Sequence, residues 1–496
     1  MSDTRKSFYI TTTLPYVNAD PHVGFALEII KADVVARLHT LQGDNVFFNT
    51  GTDEHGQKLW QAAVKQGIEP QTYVDEYAAK FRALKEKLDL LPDLHFIRTT
   101  DPHHKTSAQE FWKRCAANGD IYKKPYQIKY CVGCELEKTD SELVGGCCPL
   151  HPNAEIELID EENYFFRFSK YQAPLLDLFA MRPDFILPDF RQNEIKLFVE
   201  GGLQDFSISR LKSKMPWGID VPDDSEQVMY VWFDALVNYI SVLGWPEDLA
   251  TFEKFWGTHE QPNALQIGGK DNLRQQSAMW QAMLMSAGLP NSKQVVIQGF
   301  ITSGGQKMSK SLGNVINPFD IVDELGSDAL RYVLLRHTSP FEDSDVTLEG
   351  IREHYTAHLT NGLGNLVARV MKLAEEHLPH PVDLAAEDMA LSPEFTQMID
   401  NFRFNEAMDA IFARIGAADA YMTEHKPFAG IKSGDAVVRE TARADIEHLV
   451  RELAGIATHL APAMPRTAAA IASAVRTNHR PDNLFPRLAS SHACIL

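Results

Sequence analysis

The most constraining feature of this chain is a strand, a turn and a helix in immediate succession near its start. Residues 8–14 form an apolar run that predicts a buried strand, and from Val23 apolar residues recur at the spacing of one helical face. The recurring positions are Leu27, Ile30, Val34, Leu38 and Leu41. The turn at residues 21–24, Pro-His-Val-Gly, then lies at the helix N-terminus, where backbone N–H groups can receive a phosphate. Gly24 would also let a flat base or sugar approach the backbone.

A second segment, Lys-Met-Ser-Lys-Ser at residues 307–311, follows Gly304 and Gly305 and predicts a flexible loop with two positive charges. Together, the two segments indicate a nucleoside triphosphate held between two halves of one site. Two simpler interpretations stay open. The sole role of His22 could be to cap the helix that follows it. The two lysines could lie on a solvated face.

The order of strand-like and helix-like runs predicts an α/β fold with a parallel, Rossmann-like sheet. After the first helix come a strand at residues 46–48 and helices at residues 57–66 and 70–88. The alternation resumes with strand-like runs at residues 228–233 and 295–299. Ligands of such sheets lie at the carboxyl ends of the strands, where His22 and Asp53 would fall.

Changes of composition divide the chain into five predicted parts. Cysteines and aromatic residues mark an insert in the sheet domain, two short helices are predicted within residues 317–336, and helical periodicity dominates after residue 350. The parts are the first half of the sheet domain at 1–118, the insert at 119–225, the second half at 226–300, a linking domain with the lysine loop at 301–350, and a helix bundle at 351–496.

Four residues of the insert have the spacing of a metal knuckle. Cys131-x-x-Cys134 and Cys148-x-x-His151 supply three thiolates and an imidazole, which suit structural zinc and leave no coordination position for a catalytic water. Cys147 adjoins Cys148 and could replace it as the ligand.

The acidic composition, with a formal net charge of −19 over 496 residues, does not by itself suggest a nucleic-acid partner. An RNA partner would need local basic clusters, although solvated surfaces explain such clusters equally well. The candidates are Lys123, Lys124 and Lys129, and Arg210, Lys212 and Lys214. No run is long and apolar enough for a membrane span or a signal peptide, so we expect a cytoplasmic protein.

The pentapeptide at residues 307–311, with Leu312, Gly313 and Asn314 after it, resembles the second signature of the class I aminoacyl-tRNA synthetases. Residues 21–24 resemble their first signature, His-Ile-Gly-His. Residues 14–18, Leu-Pro-Tyr-Val-Asn, and 50–56, Thr-Gly-Thr-Asp-Glu-His-Gly, are similar to those of the methionyl-tRNA synthetases. The likeness runs from about Phe8 to at least Pro427, nearly the whole chain.

This resemblance implies activation of L-methionine with ATP and Mg²⁺, and transfer of the methionyl group to tRNA(Met). It assigns His22, Lys307 and Lys310 to catalysis, and these three with Gly24, Gly269 and Asp271 to ATP binding. The implied methionine-binding residues are Leu14, Tyr16, Asp53, Arg210, Trp232, Ala235, Tyr239, Asn272 and Gln276. The anticodon would be read by Asn365, Arg369 and Phe428. A similar knuckle in one subgroup favours Cys148 over Cys147 as the zinc ligand. For Trp232, Tyr239 and Phe428, ordinary core packing is the alternative.

Three positions depart from the family pattern. Phe25 replaces the second signature histidine and cannot donate to a phosphate, a role that Lys270 or Asn18 could take. Asn272 and Gln276 replace the usual Ile and His of the pocket. Two alternatives stay open, of which the departures motivate the first. One is a tRNA-binding protein without adenylation activity. The other is a related class I enzyme for isoleucine, valine, leucine or cysteine. Because the bundle is predicted to run to about Arg480, we expect a monomer.

Overall fold

The computed structural model describes residues 5–134, 136–138, 142–308 and 313–488, and backbone contacts divide the chain into two compact units. Unit 1 contains residues 1–21, 43–83 and 92–298, and unit 2 contains residues 22–42, 84–91 and 299–496. No helix within the described residues has both the length and the apolar character needed to cross a membrane. The five-part division predicted from composition stays a prediction.

Unit 1 is built on a six-stranded parallel sheet in the order β3-β2-β1-β12-β13-β7, as the alternation of elements predicts. Its strands are β1 (Ser7–Thr12), β2 (Asn45–Thr52), β3 (His95–Arg98), β7 (Ile186–Leu187), β12 (Ala264–Gly269) and β13 (Gln294–Gln298). The predicted strand at residues 46–48 continues to Thr52, because its buried hydroxyls find partners inside the sheet. The Oγ1 atoms of Thr12 and Thr50, for example, lie 2.8 Å apart.

Two antiparallel sheets accompany the parallel one in unit 1, in the orders β5-β4-β6-β8 and β10-β11-β9. Their strands are β4 (Ile121–Cys131), β5 (Leu136–Glu137), β6 (Ile156–Phe166), β8 (Phe206–Ser207), β9 (Ser209–Leu211), β10 (Asp220–Val221) and β11 (Asp224–Met229). The strand β7, which lies within the predicted insert, pairs with β13 in the parallel sheet.

The prediction of a strand over residues 228–233 is wrong beyond Met229. Strand β11 ends there and pairs with β9 and β10, and Val231–Ala235 then form a short helix. Val231 and Phe233 are both buried. A short apolar run that is buried on every side shows neither the period of a strand nor that of a helix, so the pattern alone cannot separate the two.

The helices of unit 1 pack on a core rich in aromatic residues, in which the rings of Phe111 and Trp280 stack at 5.5 Å. They are α2 (Gln57–Gln66), α3 (Pro70–Lys87), α4 (Pro102–Ala117), α5 (Gln172–Met181), α6 (Asp189–Glu200), α7 (Val231–Ala235), α8 (Asn238–Ser241), α9 (Leu249–Phe255) and α10 (Trp280–Ser286). The last turn of α3 belongs to unit 2. A π-helical segment, Gln275–Met279, precedes α10.

Unit 2 is mainly helical, as predicted for the end of the chain. Its helices are α1 (Val23–Leu41), α11 (Pro318–Leu325), α12 (Ser327–Arg336), α13 (Leu348–His354), α14 (Asn365–His377), α15 (Pro393–Asp400), α16 (Phe404–His425), α17 (Pro427–Gly430), α18 (Ala436–Leu460) and α19 (Pro465–Thr477). A π-helical segment, Tyr355–Gly364, joins α13 to α14. The strands β14 (Ile301–Ser303), β15 (Gln306–Lys307) and β16 (Ser344–Asp345) form a small sheet.

Helix α1 follows β1 in the chain but packs within unit 2, where Arg331 holds it. The guanidinium of Arg331 lies 2.7 Å from Asp33 of α1, and both side chains are fully buried. Arg331 also donates to the carbonyls of Pro462 and Ala463, between α18 and α19. A buried ion pair is tolerated when further hydrogen bonds satisfy its members, as they do here. Helix α1 is consequently buried on several faces and not only on the predicted one.

Candidate active site

The first signature segment lies at the N-terminus of α1, where His22 is the N-cap residue. Its Nδ1 atom accepts a hydrogen bond from the backbone N–H of Gly24 at 3.0 Å. A Cβ atom on Gly24 would lie 2.8 Å from the His22 ring, so any other residue at this position would displace the ring from its capping position. The capping role, the simpler interpretation of this histidine, is therefore present. Because Nδ1 accepts, the neutral ring carries its proton on Nε2 and can donate a second hydrogen bond there.

Met308, in the described part of the second signature segment, lies beside the first segment within unit 2. A Cβ atom on Gly24 would be 3.7 Å from Cε of Met308, and the backbone N–H of Val23 donates to the carbonyl of Ile316 at 3.1 Å. Strand β15 ends at Lys307, directly before Met308, and pairs with β14 around a turn at Gly304 and Gly305. Lys310 lies outside the described residues. The structure thus brings together two segments almost three hundred residues apart.

In unit 1, the ends of β1 and β2 hold Tyr16 and Asp53 next to each other. The backbone N–H of Asp53 donates to the carbonyl of Pro15 at 3.0 Å, and that of Val17 donates to the carbonyl of Asp53 at 3.3 Å. Leu14 comes just after β1 and is half-buried. The side chain of Asp53 is buried, with 8% of its surface exposed. A carboxylate is thereby fixed at the carboxyl end of the sheet, where the α/β pattern predicts a ligand.

Arg210 and Trp232, predicted to line the same pocket, both lie near Tyr230. The guanidinium of Arg210 lies 4.5 Å from the centre of the Tyr230 ring, and the ring of Trp232 lies 6.1 Å from it. Arg210 is buried and donates to Oγ of Ser207 at 2.8 Å. Trp232 is half-buried and, like Tyr16, packs against the small apolar cluster that contains Tyr230. Arg210 is therefore held inside the protein and is not an exposed contact for RNA.

A third group of predicted pocket residues surrounds the end of β12. Nε2 of Gln276 donates to the hydroxyl of Tyr239 at 2.5 Å. A Cβ atom on Gly268 would lie 3.8 Å from both Gln276 and Asn272, so the two departures from the family pattern flank the same glycine. Tyr239 is also part of the aromatic core, so core packing and a pocket role coincide in this residue.

The remaining positions predicted to bind ATP or methionine in unit 1 lie at the end of a strand, in a helical turn and at the end of a helix. Gly269 ends β12, and Asp271 is exposed on the helical turn Lys270–Asn272 that follows. Nδ2 of Asn272 donates to the Asp271 carboxylate at 3.1 Å. Ala235 ends α7, and its carbonyl accepts from Nδ2 of Asn238 at 2.6 Å.

One buried pair near the pocket was missed by sequence reasoning. Nδ1 of His55 lies 3.0 Å from Oδ2 of Asp234, and both side chains are buried. Burial raises the pKa of Asp234 and lowers the pKa of His55 to about 3, so the imidazole is neutral near pH 7. The pair joins the motif after β2 to helix α7, which carries Trp232. The sequence shows His55 within that motif, but no pattern in it indicates a hydrogen-bond partner 179 residues away.

The predicted metal ligands come together in unit 1. The side-chain ligand atoms of Cys131, Cys134, Cys148 and His151 all lie within 4.8 Å of one another. Sγ of Cys134 lies 3.3 Å from Sγ of Cys148 and 3.1 Å from Nδ1 of His151. Cys147 is exposed and outside this cluster. Three thiolates and one imidazole at these distances fit a tetrahedral zinc ion, whose bonds are about 2.0–2.3 Å long.

Three further histidines cluster in unit 2, at His337, His354 and His358. The rings of His337 and His354 stack in parallel at 3.6 Å, and the hydroxyl of Tyr332 bonds to His337 at 3.0 Å and to His358 at 2.6 Å. Lone pairs of stacked parallel rings do not converge on one point. Burial lowers the pKa of His337 to about 4 and also lowers those of His354 and His358, so the cluster is a hydrogen-bonded stack of imidazoles that are neutral near pH 7.

The three predicted anticodon residues also lie in unit 2. Asn365 and Arg369 occupy successive turns of α14, and Arg369 pairs with Asp419 of α16 at 2.8 Å. Asn365 lines a cavity of about 460 Å³ together with Arg480 and Arg487. Phe428, on α17, is 42% exposed, so it is available for stacking and is not a core residue.

Two lysines of the basic clusters predicted for RNA binding form ion pairs with neighbouring carboxylates. Lys123 pairs with Asp224 at 3.0 Å, and Lys212 pairs with Asp220 at 2.5 Å. Lys124 lies over the ring of Phe165, 4.2 Å from its centre. The net positive potential of this surface is therefore smaller than the lysine count suggests.

Comparisons with known proteins agree on one family. A family model described as tRNA synthetases class I (M) matches residues 8–156 and 151–371. The chain is 43% identical to the methionine–tRNA ligase of Thermosynechococcus vestitus over 94% of its own length and 89% of the relative's. It is 39% identical to the methionine–tRNA ligase of Thermotoga maritima, covering 96% of this chain and 76% of the relative. Its fold matches Mycobacterium tuberculosis methionyl-tRNA synthetase in complex with methionyl-adenylate, with a TM-score of 0.86, 34% identity, and coverage of 98% and 99% of the two chains.

Proposed function

The chain belongs to the class I methionyl-tRNA synthetases, and on that premise we propose which of its residues activate L-methionine with ATP and transfer it to tRNA. The observation that carries the proposal is the placement of Met308 against Gly24, which brings the two signature segments together in unit 2. The relatives are ligases for methionine, and this favours methionine over isoleucine, valine, leucine or cysteine as the substrate.

The first step joins the methionine carboxylate to the α-phosphorus of ATP and releases pyrophosphate. One P–O bond forms and one breaks, so no protein nucleophile is required. Catalysis then consists of aligning the reactants and stabilising the charge that grows on the leaving phosphates. In the second step, a ribose hydroxyl of the terminal adenosine of the tRNA attacks the methionyl carbonyl and AMP leaves.

For ATP, we assign the phosphates to His22, Gly24, Lys307 and Lys310. The capping bond of His22 supports its part, because a neutral ring that accepts at Nδ1 carries its proton on Nε2. Lysines on a loop can contact the transition state more fully than the ground state. Gly269 and Asp271 would receive the ribose, for which the exposed carboxylate of Asp271 is suited. Mg²⁺, when bound to the phosphates of ATP, would share their negative charge.

For methionine, we assign the ammonium group to the Asp53 carboxylate and charge balance to Arg210. The apolar wall would come from Leu14, Tyr16, Trp232, Ala235 and Tyr239. Aromatic rings contact a thioether favourably, though each contact is modest. Asn272 and Gln276 complete the pocket beside Gly268.

We also propose one structural zinc ion, bound by Cys131, Cys134, Cys148 and His151. When bound, it would tie β4 to the turn at His151, with no coordination position left for substrate. Gly133 supports this, because a Cβ atom there would lie 2.5 Å from the His151 ring and displace it.

For tRNA, we assign the anticodon to Asn365, Arg369 and Phe428, on the evidence of their exposure and shared unit. A monomeric state and a cytoplasmic location remain expectations that accompany this function. The test of the whole proposal is exchange of pyrophosphate into ATP by the purified protein in the presence of methionine. This assay also separates an active enzyme from a tRNA-binding protein that has lost adenylation.

A further inference from the structure

We propose that His55 and Asp234 are positioning residues for methionine, because their hydrogen bond fixes the rotation of α7 and with it the direction of the Trp232 ring. The inference rests on the proposed function, in which Trp232 forms part of the apolar wall of the methionine pocket. Neither His55 nor Asp234 is assigned a contact with a substrate. The pair should therefore affect the affinity for methionine and leave the affinity for ATP unchanged.

His55 lies where three segments that carry predicted pocket residues meet. Its carbonyl accepts from the hydroxyl of Tyr16, after β1, at 2.8 Å. In the chain it follows Asp53, just after β2, by two positions. Its ring bonds to Asp234 of α7, with Nδ1 at 3.0 Å from Oδ2. One residue thus links the segments that carry Tyr16, Asp53 and Trp232.

The turn that contains His55 is held independently of the imidazole ring by the residue before it. The backbone carbonyl of Glu54 accepts from Nε1 of Trp217 at 2.6 Å. The guanidinium of Arg98 donates to the buried Glu54 carboxylate at 2.7 and 2.8 Å. The turn is therefore the fixed partner of the pair, and α7 is the element that the bond positions.

Helix α7 has few restraints of its own. It contains five residues, and within the described residues no side chain caps its N-terminus. Phe233 anchors one face of the helix, since its ring packs edge-on against that of Trp112 at 5.2 Å in the aromatic core. A short helix that is held along one face can still rotate about its axis.

Asp234 supplies a second anchor, one residue further along α7. It projects about 100° from Phe233 around the helix axis, and Trp232 projects about 100° in the opposite direction. Holding both Phe233 and Asp234 consequently fixes the rotation of the helix and the direction of Trp232. A rotated ring would either fill or widen the pocket, and both changes reduce its contact with a thioether.

The bond between His55 and Asp234 has no substitute in its surroundings. Oδ1 of Asp234 and Nε2 of His55 have no hydrogen-bond partner among the residues that the structure describes. Both side chains are at most 1% exposed, so bulk water cannot replace a lost bond. Removing either partner leaves a buried polar group unsatisfied, and α7 must shift for that group to be satisfied again.

The test compares Asp234→Leu with Asp234→Asn, two variants of similar side-chain shape. Asparagine can still bond to Nδ1 of His55, whereas leucine cannot. Equilibrium dialysis with labelled methionine, without ATP, measures the dissociation constant of methionine. Pyrophosphate exchange at saturating methionine measures KM for ATP.

For Asp234→Leu, we expect methionine to bind about ten- to a hundredfold more weakly, because a displaced ring loses its contacts. KM for ATP should stay within about twofold of its original value, as expected for a change confined to one substrate. Asp234→Asn should bind methionine within about threefold of the unaltered protein, because the bond is kept.

His55→Leu removes the same bond from the other side. It should weaken methionine binding by a factor similar to that of Asp234→Leu, and the double variant should weaken it no further, because both changes remove one interaction.

Asp328→Leu is a matched control for the burial of leucine in place of a carboxylate. Asp328 is 5% exposed and accepts from the backbone N–H of Thr467 at 2.6 Å, and its Oδ1 atom has no hydrogen-bond partner among the described residues. This variant should lower the midpoint of urea denaturation and leave methionine binding unchanged.

The smaller change Asp234→Ala serves where Asp234→Leu does not fold. Methionine affinity equal to that of the unaltered protein in the folded variant would overturn the inference. So would equal weakening by Asp234→Asn and Asp234→Leu, or equal losses for methionine and ATP. Failure of the unaltered protein to bind methionine at all would overturn the proposed function, and this inference with it.

Discussion

The Nδ1 atom of His22 accepts a hydrogen bond from the backbone N–H of Gly24 at 3.0 Å, so an imidazole caps the N-terminus of α1. The bond places the proton of the neutral ring on Nε2. Capping and phosphate binding, which the sequence leaves as alternatives, are thus compatible in one side chain, because they use different nitrogen atoms.

Replacing His22 by Asn should separate these two roles. Asparagine is a good N-cap residue, so the free energy of unfolding should change by no more than a few tenths of a kcal/mol. The Nε2–H donor is lost, so the rate of pyrophosphate exchange should fall about a hundredfold. His22→Ala, the control, should lose activity and also about 1 kcal/mol of stability. Exchange at the wild-type rate in His22→Asn would mean that His22 only caps the helix.

The knuckle should bind one zinc ion per chain. Cys148→Ser should lose the metal, because it removes a thiolate from the clustered set, whereas Cys147→Ser should retain it, because Cys147 is exposed and outside the cluster. Elemental analysis of the purified variants measures both outcomes. Loss of zinc from Cys147→Ser with retention in Cys148→Ser would reverse the assignment.

Arg369 should contribute to anticodon reading and not to adenylation. Arg369→Ala should reduce discrimination between cognate and non-cognate anticodons by about 1–3 kcal/mol, if the contact behaves like other base-specific contacts. Methionine-dependent pyrophosphate exchange should be unchanged, because that step involves no tRNA. Arg443→Ala is a matched control, since Arg443 also forms a half-exposed ion pair, with Glu440 at 3.1 Å. Loss of exchange in folded Arg369→Ala would contradict a separate anticodon module.

His104 should make the stability of the fold depend on pH. It is fully buried, with Nδ1 at 2.9 Å from Oγ of Ser241, and burial lowers its pKa from 6.5 to about 3. Below about pH 6.5, the imidazole of His104 is protonated in the unfolded chain. In the folded chain it stays neutral down to about pH 3. Stability from the neutral ring is present above this window and is lost as the pH falls through it.

The matching variant is His104→Gln, which keeps a hydrogen-bonding group near Ser241 but does not titrate. Between about pH 6.5 and pH 5, the free energy of unfolding should fall by about 2 kcal/mol less in the variant than in the wild type. Urea denaturation at both pH values measures this difference. Equal pH dependence in the two proteins would show that His104 has the same pKa in the folded and unfolded states, and would contradict this prediction.

Sequence patterns predicted the elements whose period or boundary residues are clear. The helix expected at residues 57–66 is α2, with the same ends, because its apolar residues keep helical spacing and Gly67 closes it in a left-handed conformation. Strand β7 was not predicted. It consists of two residues, Ile186 and Leu187, and two residues are too few to show the alternation of apolar and polar side chains that marks a strand. Residues 228–233 were misassigned because their burial on all sides removes the periodic signal.

Motifs also predicted more of the site than spacing alone could have done. The clustering of Cys131, Cys134, Cys148 and His151 and the proximity of Met308 to Gly24 follow from short segments of the sequence. The pairing of His55 with Asp234 depends on which residues meet after folding. A linear sequence contains the donors and acceptors of such bonds but not their pairing.

The most direct measurement is the exchange of labelled pyrophosphate into ATP by the purified protein, with one amino acid present at a time. The account predicts exchange with methionine and far less with isoleucine, valine, leucine or cysteine at the same concentration. Exchange supported best by any of those four would contradict the assignment of the pocket. Absence of exchange with every amino acid would contradict the assignment of His22, Lys307 and Lys310 to catalysis.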